Sequence, residues 1–402
     1  MASRRLANRA RALANNFGAA APLWESVNAL AARPGMINMG QGFPDFEGSS
    51  VARRAAAEAI EAGAAVSNQY SPQPGLLALR EAVSDFVSRR YSTTVDAATE
   101  VVVTAGAQEA LAASFLSFLD PGDEVIVFEP FYPFMLGAIA QAGAVPRCVT
   151  LRSEDGFAID AAALETAASS PRARMLVLNS PHNPTGHVAS AEELRLVADA
   201  CMKHDLLAIS DEVYEACIFP TDAAVDARHL RLADQPGMAE RTVTLGSGGK
   251  LFALTGWRVA WAYGPAELVQ PIGRAHTHLT FSAPTPLQLG VAAALRCDDG
   301  LDSVGPTFGA NHARLAAALE AAVPSVRRVC PAGGGYFLVA QTDGRSDVAF
   351  CADLAESKGV VCTPMSVFYS TPFADDAPCE LVRFTVCKSE AYMQRACAAL
   401  LN

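Results

Sequence analysis

Val101-Val102-Val103-Thr104-Ala105-Gly106-Ala107-Gln108-Glu109-Ala110-Leu111 is the stretch on which the fold turns. Its first four residues are β-branched and show no polar alternation, as a strand buried on both faces requires. Small residues follow, and from Gln108 to Leu119 the apolar positions recur at helical spacing. The same grammar repeats downstream. Glu124–Phe128, Met175–Leu178, Leu206–Ile209 and Thr242–Leu245 are further short apolar runs, and Ala191–His204 is a further helical segment. This alternation predicts an α/β protein with a mostly parallel central sheet, covered by helices and wound with right-handed crossovers.

After about residue 290 the texture changes. An Ala/Leu segment, Asn311–Ala322, precedes Gly333-Gly334-Gly335-Tyr336-Phe337-Leu338-Val339 and then Leu381-Val382-Arg383-Phe384-Thr385-Val386. A smaller α+β unit is expected there, with the N-terminal segment packed against it. At 402 residues, 51% hydrophobic and only 18% charged, the chain buries a large core, which excludes disorder and a small disulfide scaffold. A formal net charge of −11 opposes nucleic-acid binding by phosphate neutralisation. No uncharged apolar run reaches the roughly 18 residues of a membrane span, so no membrane partner is expected.

The ten cysteines, scattered from Cys148 to Cys397 without a C-x-x-C, read as buried thiols in a reducing compartment. His276 and His278 lack the further ligands zinc needs, so no metal site is expected. The acid-free first 24 residues, with Arg4, Arg5, Arg9 and Arg11, share the composition of an organellar transit peptide. The preferred reading is an N-terminal helix of a cytoplasmic protein.

In open parallel sheets ligands bind beyond the carboxyl ends of the strands, so the residues after each run carry the chemistry. Ala105-Gly106-Ala107-Gln108 opens a helix whose free N–H groups suit an anion such as phosphate. Tyr132 follows the second run, where an aromatic ring can lie flat on a planar ligand. Asn179-Ser180-Pro181-His182-Asn183-Pro184-Thr185-Gly186 is a dense turn signal, yet turn chemistry does not require Asn183. Asp211 and Tyr214 follow the fourth run; a carboxylate there needs a cation or donor, or serves as an N-cap.

Gly246-Ser247-Gly248-Gly249-Lys250 follows the fifth run. The chain has only four lysines, and Lys250 alone lies between a Gly-rich loop and an apolar stretch. Burial there can lower its pKa and make it a nucleophile. Leu251 follows it instead of Ser or Thr, no G-x-G-x-x-G follows a strand, and Ser247 is not in a G-x-S-x-G elbow. Nucleotide-loop and hydrolase readings therefore fail. Each strand end alone fits a structural role. Together they offer a phosphate cradle, a stacking ring, an anion for a pyridine nitrogen and a Schiff-base lysine, which is what pyridoxal 5′-phosphate (PLP) requires.

Further motifs extend the set: Gly40-Gln41-Gly42-Phe43-Pro44-Asp45-Phe46, Asn68-Gln69-Tyr70, Gly256-Trp257-Arg258 and Arg383-Phe384. With Gly106–Leu111, Pro181–Gly186, Asp211–Tyr214 and Ser247–Lys250, in this order over nearly the whole chain, the sequence resembles the class I/II aminotransferases of PLP fold type I. Within them it resembles the kynurenine aminotransferase, glutamine transaminase K and methionine aminotransferase-like branch.

The resemblance implies an N-terminal segment over 1–45, a large PLP-binding domain over 46–290, a small C-terminal domain over 291–402, and a homodimer with shared active sites. Lys250 would hold PLP as a Schiff base and shuttle the proton, and Asp211 would pair with the ring nitrogen. Tyr214 and Asn183 would hydrogen-bond the ring hydroxyl and Tyr132 would stack on the ring. The backbone of Ala107 and Gln108, with Ser247 and Arg258, would hold the phosphate, joined by Tyr70 from a second subunit. Arg383 would clamp the substrate α-carboxylate, with Asn183, Gly42 and Trp24 in the substrate pocket. The strand pattern agrees, since Val382, Phe384 and Val386 share one face and leave Arg383 on the other.

Ser282 stands where mammalian members of the branch carry a histidine near the substrate, so sulfur-containing and other neutral amino acids are expected as readily as kynurenine. The expected activity moves the amino group of a neutral, hydrophobic, aromatic or sulfur-containing L-amino acid (methionine, glutamine, kynurenine or phenylalanine type) to a 2-oxo acid. The alternatives are β-elimination of cysteine conjugates on the same scaffold and a non-catalytic PLP-binding regulator.

Overall fold

The computed structural model describes residues 21–63, 67–220, 228–371, 373–374 and 377–402. Of the helix expected over the first 24 residues, positions 1–20 lie outside them, and the first described helix is Ala21–Ala31. The first strand, β1 (Ile37–Asn38), stands apart from the central sheet. That sheet contains β2 (Val101–Thr104), β3 (Glu124–Glu129), β4 (Val145–Thr150), β5 (Ala173–Asn179), β6 (Leu207–Asp211), β7 (Thr242–Ser247) and β8 (Ala260–Tyr263). Its order is β2-β8-β7-β6-β5-β3-β4. Six strands point the same way, and β8 runs antiparallel to its neighbours β2 and β7.

Both faces of the sheet are covered, which explains the unbroken apolar runs. Along β3, Val125 and Val127 meet Leu111, Phe115 and Ile139 on one face, and Ile126 and Phe128 meet Leu164, Leu194 and Val197 on the other. Each fully buried side chain of this kind contributes about 1.5–3 kcal/mol. The helices that supply them start on local signals. Asp160 accepts from the N–H groups of Ala162 and Ala163, and Ser190 with Glu193 forms a capping box.

A second sheet is antiparallel, with β9 (Val326–Val329), β10 (Phe337–Thr342), β12 (Thr363–Pro364) and β13 (Leu381–Thr385) in the order β12-β13-β10-β9. β11 (Val360–Val361) pairs in parallel with β1, which ties the start of the described chain to this unit. Helices Leu301–Ala322 and Glu390–Leu401 pack on the second sheet, Leu315, Leu319 and Met393 meeting Leu338, Val382 and Phe384. The Leu301–Ala322 helix begins well before the predicted Asn311. Gly305 and Pro306 break its apolar period, because a side chain at 305 would collide with the Ile218 carbonyl, 2.0 Å away. Among the described residues no helix is long and apolar enough to cross a membrane.

Candidate active site

The carboxyl ends of the parallel strands open on a cavity of about 230 Å³. Gln108, Tyr132, Asn183, Asp211, Tyr214, Ser247, Lys250 and Arg258 line it from the central sheet, and Trp24, Gly42 and Arg383 from the other side. Ala107 also lines it. The one predicted residue missing is Tyr70. It is 80% exposed, with its ring edge-on to Phe281 at 5.1 Å, outside its own chain's cavity.

Lys250 sits in the short helix Gly248–Leu251, at the end of β7. Its Nζ lies 5.3 and 5.0 Å from the ring centres of Tyr214 and Tyr336. The Tyr336 hydroxyl donates to the Lys250 carbonyl at 2.8 Å, which fixes the backbone beneath the side chain. Burial holds the ammonium below the usual lysine range, against the opposing pull of Cys387, Cys217 and Asp211. That moves it toward the neutral amine a nucleophile needs.

Asp211 is buried, and its carboxylate accepts one long hydrogen bond, from the Val213 N–H at 3.4 Å. A turn contact of that length leaves the group short of partners, and burial pushes its pKa up to about 7.

The predicted phosphate cradle is built by close approach. Gly106 has φ +94°, and a Cβ there would lie 2.2 Å from Arg258 Nη2. Arg258 itself holds a left-handed conformation with φ 55°, uncommon for a residue with a side chain. The Ala107–Phe118 helix has no side-chain cap, so its first N–H groups and its dipole are left for an anion. Glu109 steadies the loop by accepting from the Ala105 N–H and from Thr280 Oγ1, and by pairing with His276 Nδ1. Gly106→Ala is therefore expected to weaken cofactor retention at least about tenfold, read as the Kd for added PLP after dialysis, because the side chain displaces Arg258.

Arg383 is 3% exposed and lies between the rings of Phe337 and Phe368, 3.9 and 4.4 Å from their centres. Its Nη1 donates to Asn183 Oδ1 at 2.9 Å and its Nη2 to the Gly40 carbonyl at 3.0 Å, while Nε is buried without a partner. Burial lowers its pKa to about 9. Among the described residues no carboxylate pairs with it. A buried guanidinium in that state is costly until an anion completes it.

The family model described as aminotransferase class I and II matches residues 34–400. The chain belongs to the class I and II aminotransferases. It is 42% identical over 388 residues to the probable N-succinyldiaminopimelate aminotransferase DapC of Mycobacterium tuberculosis, covering 94% of each chain. It is 34% identical over 381 residues to the methionine aminotransferase of Escherichia coli, covering 94% of this chain and 95% of that one. The solved N-succinyldiaminopimelate aminotransferase from M. tuberculosis superposes with a TM-score of 0.88 at 40% identity, covering 99% of both chains.

Aminotransferases of these classes use PLP and exchange amino groups between amino acids and 2-oxo acids. The residues present fit that cofactor. Asp211 is a buried carboxylate with no ion pair among the described residues and Lys250 as a cation in its field, Gly106 lets the backbone at the helix start approach Arg258 more closely than any side chain would allow, and Lys250 is a depressed amine. Sequence reasoning missed Phe337 and Phe368, which form the aromatic wall behind Arg383. An aromatic in an apolar stretch reads as core. Only the fold shows that Gly42 rests on Phe337, where a Cβ would strike its ring at 2.5 Å.

Proposed function

We propose that this aminotransferase takes the amino group from a neutral L-amino acid with an apolar, aromatic or sulfur-containing side chain and passes it to a 2-oxo acid. The supporting observation is the composition of the cavity wall. Trp24, Tyr132, Phe134, Phe337 and Phe368 line it, and Lys250, Arg258 and Arg383 are its only cationic side chains among the described residues. All three have roles at the reacting end. A side-chain carboxylate would then be buried without a partner.

When bound, PLP supplies the carbonyl that receives the amino group and a ring that draws electrons from the reacting carbon. Asp211 would pair with the protonated ring nitrogen, Tyr132 would pack against the ring, and Tyr214 and Asn183 would donate to the ring oxygen. Ser247, Arg258 and the amides of Ala107 and Gln108 hold the phosphate. Lys250 Nζ would hold the cofactor between turnovers and, once released, would take the proton from the substrate Cα and return it to the cofactor carbon that received the amino group. Arg383, Asn183 and the Gly42 backbone orient the α-carboxylate beside Trp24, while the aromatic wall excludes water.

This reading includes the division into 1–45, 46–290 and 291–402, and a homodimer in which Tyr70 reaches the phosphate of the second subunit. The exposed Tyr70–Phe281 pair supports it. A second reading, N-succinyldiaminopimelate as donor, is favoured by the 42% identity to DapC.

The test is the visible absorption of the purified holoenzyme against methionine, glutamine, phenylalanine, kynurenine and N-succinyl-diaminopimelate. Neutral donors should bleach the cofactor band and a 2-oxo acid should restore it. A response confined to N-succinyl-diaminopimelate would replace the first reading with the second. Pyruvate released from a cysteine conjugate without an acceptor would mark β-elimination instead.

A further inference from the structure

Lys388 follows β13 and is 1% exposed, yet no carboxylate among the described residues lies at ion-pair distance from it. Its Nζ donates to the Phe43 carbonyl at 2.7 Å and lies 4.3 Å from the centre of the Phe43 ring and 5.4 Å from that of Tyr392. Burying a lysine for one backbone acceptor, two ring faces and the field of Asp45 is costly, which asks what the contact holds in place. The proposed chemistry at Lys250 makes no use of it.

The acceptor identifies what is held. Phe43 adjoins Gly42, which lines the cavity and rests so closely on Phe337 that a Cβ would meet the ring at 2.5 Å. Phe337 in turn carries the Arg383 guanidinium on its face. The same short segment is fastened at both ends, by residues of β12 and β13 at one and by the turn after β13 at the other. Arg383 and Thr363 donate to the Gly40 carbonyl, at 3.0 and 2.8 Å, and the N–H and hydroxyl of Ser389 donate to Asp45, each at 2.6 Å. Between these ends Gln41 is tied to Asn38 and Asn28, and Lys388 reaches across from the turn after β13 to hold Phe43.

We infer that Lys388 is a positioning residue for substrate binding, holding the Gly40–Asp45 segment down on Phe337 so that the Gly42 backbone and Arg383 meet the substrate α-carboxylate in one geometry. The inference rests on the reading of Arg383 as the carboxylate clamp. Lys388 touches neither cofactor nor substrate. It therefore governs affinity for every carboxylate ligand, amino acid and 2-oxo acid alike, and leaves the rate of the bound complex unchanged.

The test compares holoenzymes of wild type, Lys388→Met, Phe43→Leu and Arg383→Lys. Methionine at 388 keeps the length of the stem and removes the charge and the donor. KM for both substrates should rise about tenfold in Lys388→Met, with kcat within twofold and the cofactor band unmoved. The Kd for 3-phenylpropionate, a carboxylate without an amino group, should rise by the same factor. Phe43 is exposed, so Phe43→Leu folds in any event; it removes one ring face and should raise KM about threefold alone and add nothing in the Lys388→Met background.

Unchanged KM and Kd in both variants would overturn the inference, and so would a fall in kcat without a change in KM. If Arg383→Lys raises KM but Lys388→Met and Phe43→Leu do not, the positioning role fails while the clamp stands. If Arg383→Lys also leaves KM unchanged, the clamp itself is wrong.

Discussion

Lys250→Ala is expected to lower kcat by roughly four orders of magnitude or more, since one side chain supplies both the covalent tether and the proton carrier. Among the described residues lining the cavity, Asp211 is assigned to the ring nitrogen in the proposed reading, and no other group is placed to take over. Burial raises the Tyr214 hydroxyl well above its usual range, which disqualifies it as a base near neutral pH, and Arg383 is committed to Asn183 and Gly40. The cradle formed by Gly106, Arg258 and the Ala107–Phe118 helix does not depend on Lys250. Cofactor should therefore remain bound in the variant, with an absorption band that is altered yet present. Turnover above about one per cent of wild type, measured on cofactor-loaded protein, would remove Lys250 from the mechanism.

Asp211→Asn should move stability and activity in opposite directions. The folded-state pKa of Asp211 is pushed up to about 7 by burial, above the usual value of 3.8. Between those two values the folded protein binds more protons than the unfolded one, so stability falls as pH rises from about 4 to 7. The whole penalty is present above pH 7. Asparagine carries no charge to desolvate. Cofactor-free Asp211→Asn should therefore be more stable than cofactor-free wild type at pH 8, by on the order of 2–4 kcal/mol in denaturant unfolding. The difference should vanish near pH 4.

Activity should fall at least about a hundredfold at every pH, because the ring nitrogen loses its anion. Loading with PLP should reverse the order of stability, since the ring cation satisfies the wild-type carboxylate and not the amide. A cofactor-free variant that is less stable than wild type at pH 8 would refute this account of Asp211.

The contrast between β7 and β8 shows what sequence could and could not disclose. Thr242–Leu245 is a β-branched-rich run, Thr-Val-Thr-Leu, ending in Gly246-Ser247-Gly248-Gly249-Lys250, so both the strand and the chemistry at its end were legible. Ala260-Trp261-Ala262-Tyr263 alternates small and aromatic residues over four positions, and was not read as a strand. The reason for that alternation is three-dimensional. Trp261 fills the space left by Gly246 on the antiparallel neighbour, where a Cβ would lie 2.3 Å from the indole nitrogen. β4 was hidden for another reason. It is an edge strand with Pro146 and Arg147 half-buried, so it lacks the run that marks a strand covered on both faces.

The site divides in the same way. Asp211, Tyr214 and Lys250 stand at strand ends, and the alternation placed them. Arg383 was legible as an inward-facing arginine, but its stacking between Phe337 and Phe368 was not, because the rings come from separate elements that only the fold brings together.

Arg383 and the Gly40 carbonyl that it holds are 343 positions apart in the chain. That separation has a temporal meaning during translation. Lys250, Asp211, Gly106 and Arg258 all precede Val259 in order of synthesis, whereas Arg383 emerges more than a hundred codons later. Trp24, Gly42 and Asn183 also precede it, so the last element of the cavity wall to be made is Arg383, and with β8 still to be inserted between β2 and β7 the sheet itself is completed only after Val259.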